Sequence, residues 1–389
     1  MALRMKSQIN TFLKTLDIKV PIIQAPMAGA STLELAAIVT KKGGLGSIPL
    51  GSHSENPEAV ETQLLKFQEL VQDENLKRNV NLNFFTHDVP IHDETKHSQW
   101  VQKIHNYYQK ENIEISSKAK GLSVPYPTFK SIETDSHPVI QILLKLKPKV
   151  ISFHFGLPNL QVLQTLQQSG INVFISVTNL KEFKQVVEAG VDGVILQSWE
   201  AGGHRGNFIA NDPNDDKLDT EGLVKEIVGY IDSNLSESDK IPFLVAAGGL
   251  YNGESISKVL DYGIAGVQLG TVWLQTSQAT TSPIHKDLLT KSNPAPKTIM
   301  SPAISGRNLR TIETDYLKEL TSSPTHTIPD YPLPYSIFKT LGGDAKNSGC
   351  KTSYSAFLAG SNYHLSRRNT NDAGEIFDQI VSELKVKGY

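Results

Sequence analysis

A closed barrel of eight parallel strands alternating with helices, the (β/α)8 (TIM) architecture of the α/β class, followed by a C-terminal helical segment, is the fold the sequence predicts. Three observations carry it. Short β-branched apolar runs alternate with helically spaced segments through about eight units over roughly 255 residues, the size of such a barrel. Two stretches repeat one another, EAGVDGVIL (Glu188–Leu196) and DYGIAGVQL (Asp261–Leu269). Each reads as a helix end, a glycine and a buried strand, as expected when one βα unit recurs around a closed sheet. The main alternative, an open doubly wound sheet, calls for G-x-G-x-x-G after the first strand, whereas the turn there is Ala28-Gly29-Ala30. The barrel is placed at residues 1–275 and the helical segment, closing over the functional strand ends, at 276–389.

The elements follow in order. Val20–Met27 is a β-branched run punctuated by prolines, and Ser31–Lys42 has helical spacing, with Ser31 as N-cap and Glu34 at the capping-box position. Gly44–Ile48 is a strand, Pro57–Gln72 a helix and Val80–Phe85 a third strand. His87–Lys118 is polar and is either a helical insertion or a loop. The rhythm resumes with strand Val150–Phe155, helix Asn159–Ser169, strand Val173–Val177 and helix Leu180–Ala189. Gly193–Leu196 is too short and too β-branched for a helix and becomes a buried strand ending at Gln197. Asp212–Asp219 reads as a solvated acidic loop, Glu221–Ile231 as a helix, Pro242–Gly249 as a strand, Ile256–Tyr262 as a helix and Gly266–Leu274 as the last strand. Beyond Gln275 the strand rhythm stops. Helices are expected at Tyr316–Leu320, Tyr335–Leu341 and Ala373–Val386.

Composition narrows the function. With 389 residues, 39% hydrophobic and 20% charged, the chain can bury a large core. No apolar run approaches the roughly 20 residues that a membrane span needs. A formal net charge of −2 offers no general attraction to nucleic acid. The single cysteine, Cys350, excludes an internal disulfide and fits a reducing, cytoplasmic setting. The first 16 residues carry Arg4, Lys6 and Lys14 and no acid, a composition compatible with mitochondrial targeting.

Chemistry concentrates at the strand ends, where barrels of this kind place their sites. In GVILQSWEAGGHRG (Gly193–Gly206) an apolar strand gives way to a glycine-rich turn carrying His204. Gly202 and Gly203 allow close approach of an anion or a ring, and His204 is a titratable group beside them. Ala247-Gly248-Gly249 and Gln268-Leu269-Gly270-Thr271 end the last two strands, where phosphate commonly binds. The other ends supply Gln24 to Met27, Asn83, His154 and Gln197. These neutral hydrogen-bonding groups suit a planar heterocycle better than a metal ion.

In that order, QAPMAGAST, NLNFF, SFHFGLP, EAGGHRG, AAGG, QLGT and SGR resemble the nitronate monooxygenases, flavin enzymes formerly called 2-nitropropane dioxygenases. The resemblance spans nearly the whole barrel. It implies FMN in a TIM barrel and oxidation of alkyl nitronates such as propionate 3-nitronate, and of nitroalkanes, by O2 without NAD(P)H. It places FMN against Ala25, Pro26, Met27, Asn83, Gln197, Gly202 and Gly203, with the phosphate on Gly248, Gly249, Gln268, Leu269, Gly270 and Thr271. His204 takes the position of the catalytic base. Tyr331, Tyr335 and Lys339 are similar to substrate-pocket residues of the bacterial class I enzymes, and their spacing equally fits an ordinary amphipathic helix start. Phe357-Leu358-Ala359-Gly360-Ser361 departs from the glycine-glutamine pattern of many relatives, and the insertions 87–147 and 207–240 add loops of unknown placement. The partners implied are a small nitronate and O2, with the protein a monomer or homodimer. The competing enzyme reading is an FMN-dependent NAD(P)H:quinone or enoyl-thioester reductase, which shares the glycine loops.

Overall fold

In the computed structural model, residues 2–91, 93–119, 127–209, 215–236, 239–350 and 354–389 are described. Their strands, in chain order, are β1 (Ile22–Gln24), β2 (Gly46–Pro49), β3 (Val80–Phe85), β4 (Val150–His154), β5 (Asn172–Val177), β6 (Gly193–Gln197), β7 (Gly203–His204), β8 (Phe243–Ala247), β9 (Gly266–Leu269), β10 (Thr298–Ser301) and β11 (Leu309–Ile312). Eight form one parallel sheet in the order β1-β9-β8-β6-β5-β4-β3-β2. A parallel bridge between Ile23 and Leu45 joins its two edges. The eight-stranded barrel read from the sequence is the fold.

Period-two alternation explains the barrel's interior. In NLNFF, Leu82 and Phe84 face the surrounding helices, within a core that also takes in Ile151, Phe153, Val194 and Leu196. Asn81 and Asn83 therefore face inward, where Asn81 donates to Ser47 Oγ (3.0 Å) and Asn83 to Ser152 Oγ (2.9 Å). The opposite mouth is apolar: Phe12 and Leu16 of the helix Ala2–Leu16 plug it against Phe174, Ile195 and Val245. The lower interior is oily and the upper interior lined with amides and hydroxyls, so polar chemistry is possible only at the C-terminal end.

Several expectations change in detail. The N-cap of the first barrel helix (Leu33–Lys41) is Thr32, not Ser31. The Ser31 hydroxyl is already used, accepting from Met27 N (3.0 Å) and Gln24 Nε2 (2.9 Å) to fold the turn after β1. His87–Lys118 contains the helix Glu94–Lys110, whose Trp100, Ile104, Tyr107 and Tyr108 pack with Tyr316, Leu317, Ile337 and Phe338 in a second core. Of the two helices between β3 and β4, it is Pro138–Leu146 that packs against Pro57–Val71 on the barrel. Part of Asp212–Asp219 lies outside the described residues; within the rest, Asp215 pairs with Arg205 and Asp219 caps the helix Thr220–Asn234.

The segment after Gln275 holds helices, among them Asp315–Thr321, Leu333–Asn347 and Ala373–Val386, and also a small sheet that the sequence did not announce. β10 and β11 pair antiparallel, and β11 pairs in turn with β7. Ala373–Val386, expected over the functional end, instead packs on the barrel's flank between Leu33–Lys41 and Gly253–Leu260. It carries an apolar face, Ile376, Phe377, Ile380 and Leu384, that completes the outer ring of helices. Phe377 stacks on Trp273 at 6.4 Å.

Candidate functional site

β6 delivers Gln197 to the open end of the barrel, and the chain turns back at once into β7. His204 lies opposite Leu309 in the β7–β11 ladder, and Arg205 N donates to Asn308 O (2.9 Å). The carbonyl of His204 accepts from Gln197 Nε2 (2.9 Å) and from His154 Nε2 (3.2 Å). Gln197 Oε1 in turn accepts from Gly206 N (2.6 Å). The backbone of His204 is therefore held from three sides.

The ring of His204 has its own partners. Nε2 lies 2.8 Å from Ser305 Oγ, and the rings of Tyr331, Phe155 and Tyr335 stand edge-on at 5.5, 5.9 and 6.0 Å. Burial, and then the positive charges of the neighbouring His154, Arg307, Lys339 and His87, lower its pKa to about 3. Burial lowers that of His154 to about 4. His204 is thus a neutral imidazole at physiological pH, the form that can take a proton.

Two cations border this enclosure. Arg307 is half-buried, its guanidinium 4.6 Å from the centroid of Phe155 and 5.8 Å from that of Tyr331, with Nη1 donating to Asn207 O (2.6 Å). It makes no ion pair among the described residues, and burial holds its pKa below the usual value. Lys339 is exposed overall but lays its ammonium 4.1 Å from the Tyr335 centroid, and desolvation there lowers its pKa. Phe155 itself takes a φ of 76°, a left-handed conformation that costs a non-glycine residue about 1–2 kcal/mol. The turn carrying Ser305 and Arg307 reaches the site because of Gly306. At φ 90°, a Cβ there would lie 2.4 Å from Tyr331 N, so the turn and the Tyr331 segment meet backbone to backbone.

The residues expected to hold FMN gather at the same end. Ala25 N donates to Leu269 O (2.7 Å), which ties Ala25, Pro26 and Met27 to the end of β9, and Gly270 faces Ala25 and Met27. Asn83 Nδ2 is engaged by Ser152. Thr271 Oγ1 accepts from Gly360 N (3.0 Å), joining the β9 loop to the divergent 357–361 stretch. A Cβ on Gly202 would lie 2.5 Å from Ala359 C, so this glycine serves the approach of that stretch. Gly248 and Gly249 are crowded by Ser198 Oγ and the Glu200 carboxylate, which also accepts from Thr220 and Asn362. Gly203 is open on its Cα side. Gln268 Oε1 is buried with no hydrogen-bond partner among the described residues. That orphaned acceptor, beside loops bearing Gly248, Gly249 and Gly270, fits a ring or chain that brings N–H or O–H donors, as a flavin does.

Tyr331, Tyr335, Lys339 and His204 converge on one enclosure, and Gln197 supports it through the His204 carbonyl. Ser305 and Arg307 went unassigned in the sequence. Their only signal was SGR, three residues in a stretch without strand rhythm.

The profile of the nitronate monooxygenase family matches residues 10–383. The chain is 34% identical over 379 residues to the nitronate monooxygenase of Paraburkholderia phytofirmans, covering 97% of this chain and 95% of that protein. It is 30% identical over 377 residues to that of Pseudomonas aeruginosa, covering 97% and 99%. Among solved structures it is similar to a nitroalkane oxidase from Streptomyces ansochromogenes, with TM-score 0.77 and 26% identity over 96% of this chain and 98% of that one. A match this long, over a barrel whose strand ends enclose a neutral histidine, means that the chain belongs to the nitronate monooxygenase family.

Proposed function

We propose that this enzyme uses FMN to oxidise alkyl nitronates, and nitroalkanes after deprotonation, with O2, giving a carbonyl compound and nitrite. The observation that carries this reading is the enclosure itself: a neutral His204 among Phe155, Tyr331 and Tyr335, with the guanidinium of Arg307, which makes no ion pair among the described residues, over two of those rings. A nitronate is an anion, and a half-buried cation without a carboxylate partner among the described residues attracts one. Lys339 offers a second positive charge for a carboxylated substrate such as propionate 3-nitronate.

FMN would lie along Ala25–Met27, Asn83, Gln197, Gly202 and Gly203, with its phosphate toward Gly248, Gly249 and Gln268–Thr271. The chemistry it supplies when bound is acceptance of electrons from the nitronate and their delivery to dioxygen. The protein's part is to hold the anion by Arg307, to exclude water with the aromatic rings, and to take the α-proton of a neutral nitroalkane on the imidazole of His204.

The test is oxygen consumption and nitrite release by the purified flavoprotein with propionate 3-nitronate and with nitroethane, without NAD(P)H. Nitrite from both substrates, with His204→Asn abolishing it from nitroethane and retaining part of it from ethylnitronate, is the expected outcome. A flavin that is bleached anaerobically by NADH while no nitrite forms would overturn the reading in favour of a reductase.

A further inference from the structure

Ser305 is fully buried in the turn between β10 and β11, 101 positions beyond His204 in the chain. Its Oγ stands between two groups: His204 Nε2 at 2.8 Å and the carbonyl oxygen of Arg307 at 3.3 Å. A carbonyl can only accept, so the contact to Arg307 requires the serine proton. With that single proton committed, Oγ offers His204 a lone pair, and Nε2 must be the donor. This arrangement makes two hydrogen bonds from the three groups. The reverse, with Ser305 donating to Nε2, makes one. The neutral imidazole therefore carries its proton on Nε2 and its lone pair on Nδ1.

We propose that Ser305 is a positioning residue that fixes this tautomer of His204 and leaves Nδ1 as the atom that takes the substrate's α-proton. The inference rests on the proposed role of His204 as base. The ladder to Leu309 and the two bonds to the His204 carbonyl already fix the backbone, so the serine contact acts on the ring. The low pKa of His204 agrees with it, because a tautomer matters only while the ring is neutral.

Two readouts test it, both on the flavin-loaded full chain. In protein labelled with 15N at histidine, with the His204 signals assigned by their loss in His204→Asn, the expected spectrum has a protonated Nε2 and an unprotonated Nδ1. Ser305→Ala should give a mixture of tautomers, and Ser305→Thr, which keeps the hydroxyl, should restore one. In turnover, Ser305→Ala should lose about 10- to 100-fold more kcat/KM with nitroethane than with ethylnitronate, the loss typical of removing a partner that orients an active group. Ser305→Thr should recover most of that ratio. A wild-type His204 protonated on Nδ1, or equal losses on the two substrates, would overturn the proposal. Failure of the base assignment has a separate signature: His204→Asn would keep its nitroethane activity, which overturns the catalytic role of Nδ1 while the 15N spectrum still reports whether Ser305 sets the tautomer.

Discussion

At the scale of single residues, the enclosure works because ionising its histidines is costly. A free histidine titrates near 6.5, so at about pH 5 only some 3% of it is in the basic form. Burial and the neighbouring positive charges move His204 to about 3, which lowers its affinity for protons and keeps the ring unprotonated in mild acid. With nitroethane, kcat/KM should therefore stay within about twofold between pH 7 and pH 5, where an unperturbed histidine would impose a loss of about 25-fold. A pH profile on a non-ionised nitroalkane checks this. The cation at the far side of Tyr335 makes a different prediction. Lys339→Met should raise KM for propionate 3-nitronate by about tenfold and leave KM for ethylnitronate unchanged, as steady-state oxygen consumption would show.

At the scale of elements, the glycine-rich turn is held by β11. Arg310 sends Nε and Nη2 to the carbonyl of Trp199 at 3.0 and 2.6 Å, and its Nη1 reaches Thr298 Oγ1 on β10. Arg310→Met would leave the Trp199 carbonyl without those donors, at a cost of about 2 kcal/mol, visible as a lower urea midpoint with an unchanged slope. The same elements show what could be read beforehand. GVILQ and NLNFF were legible as strands because their patterns match a strand buried on both faces, and the strand ends then located His204 and Gln197. β10 and β11 were not legible. They are four residues each, TIMS and LRTI, without period-two alternation, and β11's second partner is the two-residue β7. A pairing that short leaves no periodic trace, and Ser305 and Arg307 were invisible with it. Ser31 illustrates the same limit more locally: its spacing to Glu34 pointed to a cap, but a tertiary turn had the stronger claim on the hydroxyl and Thr32 caps the helix.

At the scale of the molecule, the chain closes on itself. The last helix returns to the barrel, and Phe377 fills the space beside Gly44, where a Cβ would lie 2.8 Å from its ring. Phe377→Ala removes a fully buried aromatic from the largest core and should cost about 3–5 kcal/mol, a loss that equilibrium denaturation monitored by tryptophan fluorescence can measure.

The antiparallel contact between β7 and β11 also sets an order of events during synthesis. The barrel strand that leads into His204 is complete by Gln197, yet the strand that clamps the histidine and the serine that touches its ring arrive roughly 100 residues later. A nascent chain emerging from the ribosome would pair most of its barrel strands before His204 is clamped. A chain cut short before Ser305 would hold the barrel strands through β9 without the turn that touches the His204 ring.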